Sequence, residues 1–129
     1  MAGTVPYLSY SDAAGVISWL EAIGFETVTR QDGDGGTVIH SELKLGDAVV
    51  MLASMDADYA LPPLVGRSTG VGLYLHVEDV RAAYATAIAL GGGSVFEPEQ
   101  TEWGTERARV LDPEGREWSF GSYEPGGGW

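Results

Sequence analysis

The chain has 129 residues, 44% of them hydrophobic, enough for one domain or for two half-domains that share a core. Nineteen acidic side chains against seven basic ones give a net charge of −12, and both halves are acidic, so no basic stripe exists for phosphates and nucleic-acid binding is not expected. Cysteine is absent, which removes disulfides, thiolate nucleophiles and zinc–sulfur sites, and no apolar run approaches the roughly 20 residues needed to cross a bilayer.

In chain order, residues 4–10 read as a strand, with Pro6 tolerable near its start. Asp12 occupies a helix N-cap position, Val16, Ile17, Leu20 and Ile23 follow at helical spacing, and Gly24 supplies the stop. Residues 25–30 alternate as a half-exposed strand does, and the glycine-rich 31–36 is a turn. A hairpin is expected from 37–45 and 48–54 across Gly46-Asp47. Residues 55–68 lack periodicity, carry Pro62 and Pro63, and read as a linker.

The same order then returns. Residues 70–77 form a strand, Asp79 a cap, and Val80, Ala83, Tyr84, Ala87 and Ile88 the buried stripe of a helix that Gly91 ends. A short strand at 94–97, a loop at 98–104, and a hairpin from 105–111 and 116–122 complete the unit. Asp112-Pro113-Glu114-Gly115 suits the type I turn of that hairpin. The tail, 123–129, is glycine-rich, ends in Trp129 and is expected to be mobile.

Sliding the chain by 67 residues lays Tyr7 on Tyr74, Leu8 on Leu75, Asp12 on Asp79 and Gly24 on Gly91. A β-α-β-β-β unit of about 60 residues is too small to close a core around its own sheet. Two copies predict an α+β fold: a strongly curved, eight-stranded mixed sheet with helices on the convex face and a cavity on the concave face. The expected layout is one domain, with module one at 3–55, a linker at 56–68, module two at 69–123 and a tail at 124–129.

The repeat, together with YSDAAGVISWLEAIGFE, HSELKLGDAVVML, LYLHVEDVRAAYATAIALGG and WGTERARVLDPEGREWSF in that order, resembles the vicinal oxygen chelate superfamily. That superfamily holds glyoxalase I, the extradiol dioxygenases and the bleomycin resistance proteins. The likeness is greatest to its antibiotic-resistance and PhnB-like branch. The resemblance implies four metal-ligand positions, one on the first and one on the last strand of each module, which here are Val5, Met51, Gly72 and Ser119. Valine and glycine offer no donor, methionine sulfur is soft and serine alone is weak, so the usual metal site is expected to be missing and no cofactor is expected. A shift of one residue in any strand brings no ligand into place.

Strand alternation then sets which side chains face the cavity. Tyr7 and Ser9 share a face with Val5, and Tyr74 and His76 share a face with Gly72. In the first hairpin Glu42 falls opposite Met51 and Leu43 opposite Val50, which puts His40, Glu42, Lys44, Val49 and Met51 on the concave side. Glu117, Ser119 and Gly121 share the inward face of the last strand. The candidate ligand-binding residues are therefore Tyr7, Ser9, His40, Glu42, Met51, Tyr74, His76, Trp103 and Ser119. Trp103, in a loop, is expected to act as a lid. Arg107 and Arg109 are alternatives for an anion, with their facing left open.

Two histidines and one carboxylate also compose a familiar set for non-haem iron, or an acid–base pair. The preferred reading is nevertheless a metal-independent protein that sequesters a small aromatic or cationic molecule, as the bleomycin resistance proteins do. The alternative is a glyoxalase-like lyase or isomerase, or a dioxygenase, using His40, Glu42 and His76. The resemblance also implies a homodimer. No basic stretch precedes an apolar run at the N-terminus, so no signal peptide is expected and the cytoplasm is the expected location.

Overall fold

The computed structural model describes residues 3–59 and 68–127. Most of the predicted linker, residues 60–67, and Trp129 lie outside them. The described residues fall into two compact units that divide at that linker.

Two aspartates start the two helices. Asp12 Oδ1 accepts the Gly15 N–H at 3.0 Å ahead of α1 (Ala13–Ile23), and Asp79 Oδ1 accepts the Ala82 N–H at 3.0 Å ahead of α2 (Val80–Ala89). Each bond satisfies an amide that the first helical turn would leave unpaired. Gly24, at φ 137°, turns the chain so that the Phe25 N–H reaches back to the Leu20 carbonyl at 3.0 Å. After α2 the Gly92 N–H reaches the Ala87 carbonyl at 2.8 Å. The internal repeat is thus a repeat of capping chemistry.

In the first unit, β1 (Tyr7–Tyr10), β2 (Glu26–Asp32), β3 (Val38–Leu45) and β4 (Ala48–Ser54) form a mixed sheet in the order β1-β4-β3-β2. In the second, β5 (Gly72–His76), β6 (Gly93–Gln100), β7 (Glu106–Leu111) and β8 (Glu117–Gly121) repeat that order as β5-β8-β7-β6. The eight strands are therefore two mixed sheets of four, one per module, in an α+β fold. The first and last strands of each module run parallel, with Tyr7 beside Met51 and Tyr74 beside Ser119.

The first hairpin has the predicted register, Leu43 opposite Val50 and Glu42 opposite Met51. Gly46, at φ 58°, leads its turn, and no non-glycine among the described residues has a positive φ, which is the sign pattern of a type II′ turn. Several strands differ in extent from the expectation, β1 and β6 among them. β1 begins at Tyr7 rather than at residue 4, because Pro6 has no N–H to give and joins the ladder only through its carbonyl, which accepts from Met51 N at 2.9 Å. β6 runs through Pro98, beyond the predicted 94–97; it is an edge strand, irregular between Phe96 and Glu99, where a missing N–H disturbs nothing.

Burial alternates along the strands as one helix-covered face requires. Tyr10, Leu43, Val50 and Leu52 are buried with Val16, Ile17, Trp19 and Leu20 of α1. Leu75, Ala108, Val110, Trp118 and Phe120 are buried with Val80, Ala83 and Ala87 of α2. The alternation slips at Val38, which is buried while Ile39 is exposed, beside an irregularity in the β2–β3 ladder. There the Val38 N–H bonds the Ser54 hydroxyl at 2.9 Å. No helix among the described residues is long and apolar enough to cross a membrane.

Asp112 holds the β7–β8 turn. It is one of two buried polar side chains among the described residues, the other being Ser41. Its Oδ1 accepts the Glu114 and Arg116 N–H groups, each at 3.0 Å, and its Oδ2 accepts Trp118 Nε1 at 3.1 Å. One carboxylate thus ties turn to core. Replacement by alanine strips two amides and a buried indole of this acceptor, so Asp112→Ala is expected to lower stability by about 2–3 kcal/mol. Urea unfolding checks this; an unchanged midpoint would refute the role.

Candidate functional site

In the first module, adjacent strands bring Tyr7, Met51, Glu42 and Thr29 into one row across β1, β4, β3 and β2. His40 lies two residues along β3 from Glu42, and its Nε2 sits 2.7 Å from Glu42 Oε2. Both side chains are partly exposed, at 36% and 41%. Ser9 pairs with Ala53. Of the residues singled out from the sequence, this module therefore gathers Tyr7, Met51, Glu42 and His40 on neighbouring strands.

The corresponding row of the second module is Tyr74, Ser119, Arg109 and Phe96, and beside it runs His76, Gly121, Arg107 and Glu99. The register settles the facing of the two arginines: both lie on the face of Tyr74, while Ala108 and Val110 between and beyond them are buried. Both guanidinium groups lie over the Phe96 ring, at 5.3 Å for Arg107 and 5.2 Å for Arg109. Arg109 Nε donates to Ser119 Oγ at 2.9 Å, and Arg107 Nε donates to Glu99 Oε1 at 2.8 Å.

Next to these rows is a cavity of about 490 Å³. Tyr74, Trp103 and Tyr123 contribute aromatic surface to it, and Thr101, Thr105, Glu106 and Arg107 the polar groups. The 101–105 turn that carries Trp103 is well tied. Thr101 Oγ1 accepts the Trp103 and Thr105 N–H groups, each at 3.3 Å, and lies 2.7 Å from Thr105 Oγ1. Gly104, at φ 81°, lets its own N–H reach the Thr101 carbonyl at 3.2 Å. Trp103 itself is 78% exposed. The turn is fixed and its tryptophan stands in solvent at the cavity wall.

Tyr74 has a second anchor. Its hydroxyl donates to the Tyr123 carbonyl at 2.6 Å, which fastens the start of the segment that follows β8. Its ring lies against Gly121, where an added Cβ would come within 2.7 Å of ring carbons Cζ and Cε2. Only glycine leaves that space. Of the nine candidate residues, Tyr74 and Trp103 line the cavity together; Ser119 and His76 lie on the same strand face. Thr101, Thr105, Glu106 and Tyr123 escaped the sequence reading, because a loop threonine or a post-strand tyrosine carries no periodic signal; Gly121 was placed on the inward face, but not as the seat of the Tyr74 ring.

The four ligand positions implied by the fold do not fit a metal. Val5 and Gly72 have no donor, and the space beside Gly72 is taken by the Glu117 side chain, whose Cδ would lie 3.2 Å from a Cβ there. Among the described residues no group of three histidine, aspartate or glutamate side chains is placed to hold an ion.

The family model of the glyoxalase/bleomycin resistance protein/dioxygenase superfamily matches residues 7–120. In structure the chain is similar to TioX from Micromonospora sp. ML1, with 26% identity, a TM-score of 0.74 and coverage of 96% of this chain and 100% of that one. It is also similar to a bleomycin resistance determinant encoded on the transposon Tn5 (21% identity, TM-score 0.64, 96% and 99% covered). A PhnB protein from Bacillus cereus shares the fold at 15% identity, TM-score 0.66, with 92% and 98% covered. No protein of curated function matches the chain in sequence.

Burial, above all, raises the Tyr74 phenol above its ordinary 10.0. The folded protein then holds that proton after the unfolded chain has released it, so the associated stability is whole below pH 10.0 and falls as pH rises beyond it. Ultraviolet titration of tyrosinate is expected to show a late-ionising tyrosine in the wild type. It should be missing from Tyr74→Phe and shifted back in Gly121→Ala, which pushes the ring aside at a cost of about 1–3 kcal/mol. An unaltered titration in both variants would contradict this packing.

Proposed function

The chain belongs to the glyoxalase/bleomycin resistance protein/dioxygenase superfamily, and from that premise we propose that it binds a small aromatic or cationic molecule, without a metal, in the cavity of its second module. The observation that carries the reading is the meeting of Tyr74, Trp103 and Tyr123 around about 490 Å³ of space. That volume lies within the range of small-molecule sites, and flat aromatic walls with few polar groups are what such sites are made of. Each ring stacked on a planar guest contributes about 0.5–1.5 kcal/mol beyond the area it covers. Sequestration needs affinity alone, and the misfit of Val5, Met51, Gly72 and Ser119 to a metal removes the superfamily's usual catalytic device from the argument. In this reading Tyr7, Ser9, His40, Glu42 and Met51 form a second lining surface on module one, and Ser119 and His76 extend the one on module two. The neighbour described as a bleomycin resistance determinant suggests drug sequestration as the physiological use. We also infer a single cytoplasmic domain built from modules 3–55 and 69–123, and a homodimer, in which light scattering should find twice the chain mass.

A second reading rests on the 2.7 Å contact of His40 with Glu42, an arrangement that suits proton transfer by a glyoxalase-like lyase or isomerase, or a dioxygenase with His76 added. Elemental analysis separates the two. Protein purified without chelators is expected to carry no stoichiometric nickel, zinc, manganese or iron; a full equivalent that His40→Ala removes would install the catalytic reading instead.

The binding reading is checked by calorimetry with bleomycin and with planar aromatic antibiotics. At least one is expected to bind, and Trp103→Ala and Tyr74→Ala are each expected to weaken it about tenfold, the loss of one stacked wall. Heat from none of them, or affinities indifferent to both substitutions, would end the proposal.

A further inference from the structure

We propose that the guest of this cavity is a planar aromatic molecule bearing a carboxylate-like anionic group, and that the terminal nitrogens of Arg107 take that group. The inference rests on the reading of the cavity as a binding site and selects between its two ligand classes, against the cation. The wall holds one acid and one base, and they differ in how far they are already committed. Glu106 is the acid. Its Oε2 receives Arg81 Nη2 at 3.0 Å and Gln100 Nε2 at 3.3 Å, and its side chain is only 18% exposed. A cationic guest would meet a carboxylate that a guanidinium already neutralises.

Arg107 is placed the other way. Its side chain is 54% exposed, and it too is ion-paired, to Glu99 Oε1 at 2.8 Å, but through Nε alone, so the pair leaves the fork of terminal nitrogens unoccupied. No hydrogen bond among the described residues engages its two terminal nitrogens. Its guanidinium lies 5.3 Å from the Phe96 ring centre, so the fork is held from two sides before any guest arrives. A guanidinium fixed in this way presents paired donors at the spacing of a carboxylate. Beside it Arg109 lies over the same ring, 3.8 Å from the Glu117 carboxylate and bonded to Ser119.

The chain's charge of −12 opposes an anion at long range. That field decays over about 8 Å at physiological ionic strength, whereas the contact with Arg107 is direct. Contact chemistry therefore sets the sign of the preferred guest. The aromatic walls supply the remaining affinity and set its flat shape.

Three probes that share one ring system test this: 2-naphthoate, 2-naphthylmethylammonium and 2-naphthylmethanol, titrated into the full chain and followed by the Trp103 indole N–H resonance in NMR. The naphthoate is expected to bind about tenfold more tightly than the ammonium probe, and Arg107→Gln is expected to bring it down to the affinity of the neutral alcohol. Arg107→Lys, which keeps the charge and loses the fork, should fall between. An ammonium probe that binds as well as the naphthoate, or a preference that survives Arg107→Gln, overturns the inference while leaving an aromatic site in place. If none of the three moves the Trp103 resonance, the cavity is not an aromatic site, and both readings fall.

Discussion

A single helix covers one face of each four-stranded sheet, and that one-sided cover governs what each strand residue has to be. On the covered face, side chains must be apolar or fully satisfied, as Leu43, Leu52, Val110 and Phe120 are apolar and Ser41 is bonded to the Leu52 carbonyl at 2.7 Å. On the opposite face the same strands carry Tyr7, His40, Glu42, Tyr74, Ser119 and the two arginines, partly or largely exposed. The candidate site surface is what remains after the core has taken alternate positions. Each module is minimal in this sense, since its one helix cannot cover two faces.

The parts of the fold that were legible in the sequence are those governed by short-range rules. The caps at Asp12 and Asp79 follow from one carboxylate and one amide three residues on. The hairpin register follows from a two-residue turn, and the parity of Tyr74 and His76 follows from the strand period. What escaped reading depends on a side chain meeting backbone far away in the chain. Tyr74 reaches the Tyr123 carbonyl across forty-nine positions, and Gly121 matters only because that ring lies on it. Trp103 was legible as a loop aromatic, but not the Thr101 hydroxyl that holds its turn. The facing of Arg107 and Arg109 needed the β7–β8 register, which a four-residue turn leaves open.

The two modules repeat one geometry with the charge inverted at one position. The ladders place Glu42 in the first where Arg109 stands in the second, each opposite the last strand's Met51 or Ser119. Two residues back, His40 answers to Arg107. The backbone preserves the duplication while the side chains on the open face have diverged almost completely, because no packing constraint holds them alike. Tyr7 and Tyr74 are the exception. They occupy equivalent positions and both are exposed, but Tyr74 alone has a glycine beneath it to accept its ring. Divergence of this kind gives two modules of one backbone plan different open faces.

The parallel pairing of first and last strands also orders events during synthesis. β1 emerges from the ribosome early but has no ladder partner until Met51 and its neighbours follow, and β5 waits likewise for Ser119. In the interval Asp12 and Asp79 can already nucleate their helices, since their bonds are local, and hairpins β3–β4 and β7–β8 close as the awaited strands β4 and β8 arrive. Each module therefore completes only at its final strand, and β1, bearing Tyr7 and Tyr10, spends that time as an unpaired apolar segment. Its brevity, four residues behind a proline, limits what such a segment can recruit while it waits.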